Sequence, residues 1–163
     1  MSFYSEESQA LQRRFGLQTA ADDFYKTQCH TEFSPSDRNL IKQATTFFLT
    51  TTDGHGHPVC AAKSSTPGLV RMIDRNALII PYYDANEMFR STGNIIKNPY
   101  IELLFIGAQG QHQILHINGI ASVTDTTSLL NQFPDAQLII RVTAFDIFQD
   151  CLRRHYHVVK AVA

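Results

Sequence analysis

The sequence predicts a mainly β fold in which an antiparallel barrel carries a few short helices. Strand-like runs come in pairs joined by short turns rich in glycine, aspartate, asparagine or glutamine, at residues 53–56, 74–76 and 107–111. The helical segments are short and fall between these pairs rather than after every strand. Six or so strands connected in this way favour an antiparallel barrel over a parallel α/β sheet.

The segments before the first strand are helical or undecided. Residues 5–15 consist of good helix formers with an apolar pair four positions apart, which predicts a short amphipathic helix. Residues 17–33 show no clean period, so a helix and an ordered arm remain alternatives. Residues 34–37 combine a hydroxyl cap, a proline at the first helical position and an acid in the first turn. They predict a helix over 35–44.

The remaining predicted segments are strands in hairpin pairs, with helices inserted between the pairs. The strands share β-branched, aromatic or apolar runs bounded by turn residues, and they cover residues 45–52, 57–63, 69–74, 77–83, 100–107, 112–125 and 136–149. A helix is predicted from Asp84 to about Asn98, ending before Pro99. A short helical segment is predicted near 126–132.

Length, composition and charge limit the possible classes of protein. The chain has 163 residues, 44% of them hydrophobic and 18% charged, and a formal net charge of -1. We expect one domain, with a helix and arm over 1–33 and the barrel over 34–163. The charge provides no attraction to nucleic acid or acidic membranes. No apolar run approaches the roughly 18 residues of a membrane span, and the N-terminus lacks the apolar core of a secretion signal. We therefore expect a cytoplasmic protein.

The residues that follow the second predicted strand indicate an anion site. Lys63 ends that strand and is followed by a Ser-Ser-Thr-Pro-Gly loop, and Arg71 lies in the next strand. Asn86, Arg90 and Ser91 lie near the start of the predicted helix. A helix N-terminus supplies amide donors and arginine supplies planar multidentate donors, as a phosphate requires. The alternative is that these residues are solvated surface cations.

Other chemistries have weaker support in the sequence. Six of the seven histidines occur in three pairs, but no carboxylate or thiolate accompanies them at a spacing typical of metal sites, so no metal is predicted. The three cysteines are far apart and form no CxxC pair. Cys60 alternates within an apolar strand and is expected to be buried. Ser64 and Ser65 lack the glycine-flanked elbow of a nucleophilic serine.

Several blocks of sequence, in order, resemble one known family. They are SEESQALQRRFG, FFLTTTDGHGHP, KSSTPGLVRMID, IIPYYDAN, RSTGNIIKNPYIELLFI, LHINGIA and FQDCLRRH. Together they resemble the pyridoxamine 5'-phosphate oxidase-like flavoproteins, the FMN-binding split-barrel family. The resemblance covers most of the chain. It departs from the family pattern at Ser64 and Ser65, where glycines are common, and at Tyr82, where the family often has aspartate.

The resemblance implies a six-stranded antiparallel split β-barrel that forms a homodimer, with FMN bound in grooves at the subunit interface. In this sequence, the positions that match the family's FMN contacts are Lys63, Ser64, Arg71, Ile80, Pro81, Tyr82, Asn86, Arg90, Ser91, Gln113 and His116. Arg153 is a further, weaker match. Gln113 and His116 match positions that reach the flavin of the opposite subunit.

The predicted function is that of an FMN-dependent oxidoreductase acting on an unidentified small molecule. The flavin would exchange a hydride with the substrate, and no side chain stands out as a general acid or base. Two alternatives remain open. One is a flavin- or haem-binding barrel without turnover, and the other is a cofactor-free dimeric interaction module.

Overall fold

A computed structural model describes residues 3–64, 66–83, 88–107 and 113–151. Within these ranges the chain forms one antiparallel sheet and five short helices. The helices are α1 (Glu6–Arg14), α2 (Gln18–Gln28), α3 (Pro35–Gln43), α4 (Arg90–Lys97) and α5 (Thr127–Leu130). The strands are β1 (Thr46–Thr52), β2 (Pro58–Ser64), β3 (Arg71–Met72), β4 (Ala77–Tyr82), β5 (Tyr100–Ile106), β6 (Gln113–Thr124) and β7 (Leu138–Cys151).

The strand order is β2-β1-β5-β6-β7-β4-β3, and every neighbouring pair is antiparallel. The predicted fold class, a mainly antiparallel split barrel with short helices, is confirmed. The six strands that the family resemblance implies are one too few: the described residues form seven, and the strand predicted over 69–74 is present as the two-residue β3, which pairs with β4. Although β2 and β4 lie near opposite ends of the strand order, Lys63 Nζ lies 5.0 Å from the centre of the Tyr82 ring. The sheet therefore curls until its two ends approach each other.

The barrel interior is filled by alternate side chains of the strands. In β5 and β6 every second residue is buried, as expected for strands with one face on a core. Strand β4 is buried along its whole length, because Phe133 and the α5 region cover its second face. Each fully buried large apolar side chain contributes about 1.5–3 kcal/mol relative to an exposed one.

The helix predicted over 35–44 is present as α3. Ser34 caps it by accepting a hydrogen bond from the Asp37 backbone, and the Asp37 carboxylate accepts one from the Ser34 backbone. This reciprocal capping box satisfies two amides that the helix itself leaves unpaired. Within the undecided segment 17–33, residues 18–28 form the helix α2.

Two expectations for single segments are wrong. The helix predicted from Asp84 is present as α4 from Arg90. Residues 84–87 lie outside the described residues, and Met88 and Phe89 have positive φ angles of 46° and 62°, which an α-helix does not allow. Cys60 is exposed, because the register of β2 places it on the outer face of the sheet. Asn86 and Arg153 lie outside the described residues. Among the helices that are described, none is long and apolar enough to cross a membrane.

Candidate functional site

A cavity of about 350 Å³ lies where the two ends of the curled sheet meet. Strands β1 and β2 supply one side and β4 supplies the other. The lining residues are Phe47, Leu49, Ala62, Lys63, Ser64, Leu69, Ile80, Pro81, Tyr82, Tyr83 and Ile140. This volume falls within the range of about 300–1,000 Å³ that is usual for small-molecule sites. The described residues thus include a concave site made by strands distant in sequence.

The antiparallel register of β1 and β2 explains why a lysine reaches this cavity. Lys63 pairs with Phe47, and paired residues point to the same face of a sheet. Phe47 is buried in the core, where its ring stacks on Phe105 with 5.2 Å between centroids. Lys63 is therefore directed to the inner side at the end of β2. Ser64, the last residue of that strand, is exposed beside it.

An aromatic side chain forms the opposite wall and contacts the lysine. The Tyr82 side chain is buried, and the Lys63 ammonium lies over its ring at 5.0 Å from the centroid. A cation over an aromatic face is attracted by the ring quadrupole. Phe89 stacks on Tyr82 with a centroid separation of 6.0 Å. The cavity therefore combines a cationic and hydroxyl-bearing end with an apolar, aromatic wall.

Five of the residues predicted from the sequence, Lys63, Ser64, Ile80, Pro81 and Tyr82, line this cavity together. Arg71 does not line it. Its guanidinium lies 4.3 Å from the centre of the Phe133 ring and donates a hydrogen bond of 3.3 Å to the carbonyl oxygen of Gln132. In this position Arg71 links β3 to the segment after α5.

Arg90 and Ser91 begin α4 and also lie outside the cavity lining. Arg90 is exposed, whereas Ser91 is buried. The helix packs against the sheet, and Asn94 Nδ2 donates a 3.0 Å hydrogen bond to Thr51 Oγ1.

Gln113 and His116 lie on β6, away from the cavity lining. Gln113 begins the strand and pairs with Cys151. His116 Nδ1 lies 2.7 Å from Glu102 Oε1, and its ring stacks on Phe148 at 4.6 Å with an angle of 4° between the planes. Glu102 was not among the residues predicted from the sequence. Cross-strand pairing could have indicated it, because Glu102 and His116 lie on the same face of adjacent strands.

The apolar residues that complete the cavity, including Leu69 and Tyr83, were not predicted from the sequence either. Both are ordinary apolar or aromatic residues at the end of a strand or in a loop. Nothing in their local pattern distinguishes them from core residues, since they become site residues only when the sheet curls.

The family model described as pyridoxamine 5'-phosphate oxidase matches residues 33–149. The chain belongs to the pyridoxamine 5'-phosphate oxidase-like family. The matched segment runs from the start of α3 through most of β7 and so contains every strand that lines the cavity. No curated protein matches the sequence significantly.

Solved structures of distant sequence share the fold of this family member. HupZ from Group A Streptococcus has a TM-score of 0.56 at 17% identity, covering 72% of this chain and 93% of HupZ. General Stress Protein 26 from Bacillus anthracis has a TM-score of 0.53 at 17% identity, with coverages of 69% and 88%. HutZ, the heme storage protein from Vibrio cholerae, has a TM-score of 0.51 at 10% identity, with coverages of 74% and 94%. At these identities the likeness concerns the fold alone.

Proposed function

We propose that the protein is an FMN-dependent oxidoreductase that acts on a small organic molecule. The observation that carries this proposal is the cavity itself, in which Lys63 and Ser64 face the wall formed by Ile80, Pro81 and Tyr82. Membership of an oxidase-like family supports the same class of chemistry.

The cavity residues fit the two parts of FMN. A phosphate is bound best by cationic and hydroxyl donors, and Lys63 and Ser64 provide one of each at the same end of the cavity. A planar ring is bound best by apolar and aromatic surface, which Leu69, Ile80 and Tyr82 provide. Arg90, Ser91 and Asn86 remain predicted phosphate contacts from the segment that follows β4, and Arg71 remains one from β3.

Bound FMN would supply the hydride chemistry, and the protein would supply binding, orientation and exclusion of water. In this proposal Lys63 and Ser64 hold the phosphate, and the β4 backbone and Tyr82 set the plane of the ring. We further propose that the protein acts as a homodimer in which Gln113 and His116 face the cofactor of the other subunit.

The absorbance spectrum of the purified protein tests the proposal directly. We expect the bands of an oxidised flavin, either as purified or after incubation with FMN and removal of the excess. Protein that remains colourless after this incubation would contradict the proposal.

The Lys63→Ala variant tests the proposed phosphate contact. Loss of one charge-assisted hydrogen bond, about 1.5–3 kcal/mol, should raise the Kd for FMN by about ten- to a hundredfold. Lys26→Ala, which removes an exposed lysine on α2, is the matched control and should leave the Kd unchanged. Equal Kd values for both variants would show that Lys63 does not bind the phosphate.

Haem binding is the second candidate, because HutZ, a heme storage protein, shares this fold. The same spectrum separates the two proposals, since haem gives an intense Soret band that flavin lacks. Dominant haem absorbance after incubation with equal FMN and haemin would favour the haem-binding role.

A further inference from the structure

A second cavity, of about 370 Å³, lies between the first two helices. Gln9 and Gln12 of α1 line one side, and Gln18, Asp22 and Tyr25 of α2 line the other. Residues three or four positions apart share one side of a helix, so both sets face the gap between α1 and α2. Among the described residues, none lines both this interhelical cavity and the cavity in the curled sheet. The volume is sufficient for a small organic ligand.

Aromatic rings from the segment before α1 complete the wall of the interhelical cavity. The Phe3 ring lies 5.3 Å from the Tyr25 ring and 4.8 Å from the Tyr4 ring, to which it is nearly perpendicular. Phe3 also contacts the Phe148 ring of β7 edge to face at 5.5 Å, and the Tyr4 hydroxyl donates a 3.4 Å hydrogen bond to the Ala21 carbonyl oxygen of α2. These contacts hold the rings against both the sheet and α2, while Tyr25 remains 41% exposed. An aromatic surface is therefore in place before any ligand binds.

The polar side chains of this cavity have hydrogen-bonding capacity that the described part of the chain does not use. The side chains of Gln12, Gln18 and Asp22 make no hydrogen bond or ion pair with another described residue. Gln9 Nε2 donates to the Tyr4 carbonyl oxygen at 3.2 Å, and Gln9 Oε1 stays available as an acceptor. The cavity thus offers a carboxylate and three amide groups to a ligand.

The charge of the interhelical cavity is negative. Asp22 is the one charged side chain among the described residues that line it. Burial above all, with smaller contributions from Cys29 and Asp22, raises the pKa of the Tyr4 phenol, which therefore stays uncharged at neutral pH. Lys26 follows Asp22 by one helical turn but forms no ion pair with it. Within the described chain, the Asp22 carboxylate thus has no cationic partner.

This combination of groups selects one class of ligand. A carboxylate, amide oxygens and aromatic faces all attract a cation. A metal ion fits poorly, because the described lining supplies a single carboxylate and the aromatic wall offers it no oxygen ligands. An organic ammonium ion fits every part, since its N–H groups can donate to the carboxylate and the amide oxygens while its carbon atoms and charge lie against the rings.

We propose that the interhelical cavity binds a small organic ammonium ion, which Asp22 pairs with and the Tyr25 ring faces. This site is separate from the proposed FMN cavity and does not require FMN.

Titration with 2-phenylethylammonium, followed by ¹H–¹⁵N NMR, tests the proposal. The uncharged analogue 2-phenylethanol has nearly the same shape and serves as the matched ligand. We expect the ammonium ion to shift amide signals of α1 and α2 with a Kd of about 1 mM or below, and the alcohol to bind about fivefold more weakly. Raising the salt concentration from about 0.05 to about 0.5 M should weaken binding of the ammonium ion alone, because Asp22 is exposed to solvent.

Single variants test the two contacts. Asp22→Asn removes the charge and keeps the shape, so it should raise the Kd for the ammonium ion about three- to fivefold and leave that for the alcohol unchanged. Tyr25→Leu should raise the Kd for the ammonium ion about two- to fivefold. Asp23→Asn is the matched control, since Asp23 is an exposed acid beside Asp22 that does not line the cavity. Because Tyr25 also packs on Phe3, Asp22→Asn decides the outcome.

Any of four results would overturn the proposal. The first is the absence of shifts in α1 and α2 up to about 10 mM ammonium ion, at which a millimolar site would be mostly occupied. The second is an equal Kd for the ammonium ion and the alcohol. The third is an Asp22→Asn variant that binds the ammonium ion as tightly as Asp23→Asn does. The fourth is a set of shifts confined to the surroundings of Lys63 and Ile80, which would place the probe in the sheet cavity instead.

Discussion

Replacement of Asp37 by alanine should cost the protein about 3 kcal/mol of unfolding free energy. The Asp37 side chain is fully buried and accepts hydrogen bonds from His30 Nε2 at 2.7 Å, from the Ser34 backbone at 2.8 Å and from Gln149 Nε2 at 2.7 Å. Alanine would leave these donors without their acceptor in a site with little access to water. Removing one partner from a buried charged network costs about 3–5 kcal/mol. The cost for Asp37→Ala lies at the low end, because the His30 side chain is 34% exposed and water can replace its lost acceptor.

Urea unfolding followed by circular dichroism measures this loss. In thermal unfolding, the same loss of free energy should lower the Tm of a chain of this size by about 6–12 °C. Asp23→Ala, on the exposed face of α2, is the control and should change the unfolding free energy by less than about 0.5 kcal/mol. A loss of similarly small size for Asp37→Ala would refute the view that this network anchors α3 to β7.

The same residue predicts a dependence of stability on pH. Burial raises the pKa of the Asp37 carboxyl, but the hydrogen bonds from Ser34, Gln149 and His30 together lower it by more than burial raises it. The pKa of Asp37 therefore lies below the usual 3.8. A carboxyl whose pKa is lower in the folded state than in the unfolded state stabilises the fold. This stabilisation is complete above the unfolded-state pKa and is lost as the pH falls through the folded-state pKa. The parent protein should therefore lose stability more steeply below about pH 4 than Asp37→Asn, whose amide does not titrate. Parallel curves for the two proteins would contradict this assignment.

Two further predictions concern glycine positions and the first hairpin. Gly119→Ala should destabilise the protein by about 2 kcal/mol, because a Cβ there would lie 2.7 Å from Val142 Cγ1 and 2.9 Å from the Thr143 backbone oxygen. Urea unfolding measures this loss of unfolding free energy. Gly93→Ala, in α4 with no atom within 4 Å of the new Cβ, should instead stabilise by about 0.5–1 kcal/mol, and a loss at Gly93 similar to that at Gly119 would contradict the steric argument. Backbone hydrogen bonds in the hairpin turn lower the pKa of Asp53 to about 2, so NMR titration should show no protonation of this carboxyl at pH 4, and Asp53→Ala should speed amide exchange in the turn.

Local chemistry explains why much of the fold could be predicted. The Ser-Pro-Ser-Asp signal before α3 acts through hydrogen bonds within four residues, and the structure contains that capping box. The first hairpin turn likewise follows from Asp53, whose carboxylate accepts two nearby backbone amides. The helix predicted from Asp84 was wrong in its start because the backbone at Met88 and Phe89 turns left-handed, a conformation that neither residue type signals.

The candidate site was only partly predictable. Lys63 could be identified because a lysine ends an apolar strand before a loop of small residues, and the family resemblance pointed to Ile80, Pro81 and Tyr82. No pattern in the sequence indicates that Arg71 lies over Phe133, since that contact joins residues 62 positions apart in the chain. Cys60 was expected in the core because alternation identifies two faces of a strand without saying which one is covered.

The sequence by itself determined the order of strands and helices, the hairpin turns and the cap of α3, because each depends on residues that are neighbours in the chain. Only the tertiary structure decided which side chains meet. The curl of the sheet brings Lys63 of β2 to the ring of Tyr82 of β4, and strand register places His116 beside Glu102 on the outer face. Both outcomes depend on pairings between distant strands, whose geometry is set by the packing of the whole core rather than by any local preference.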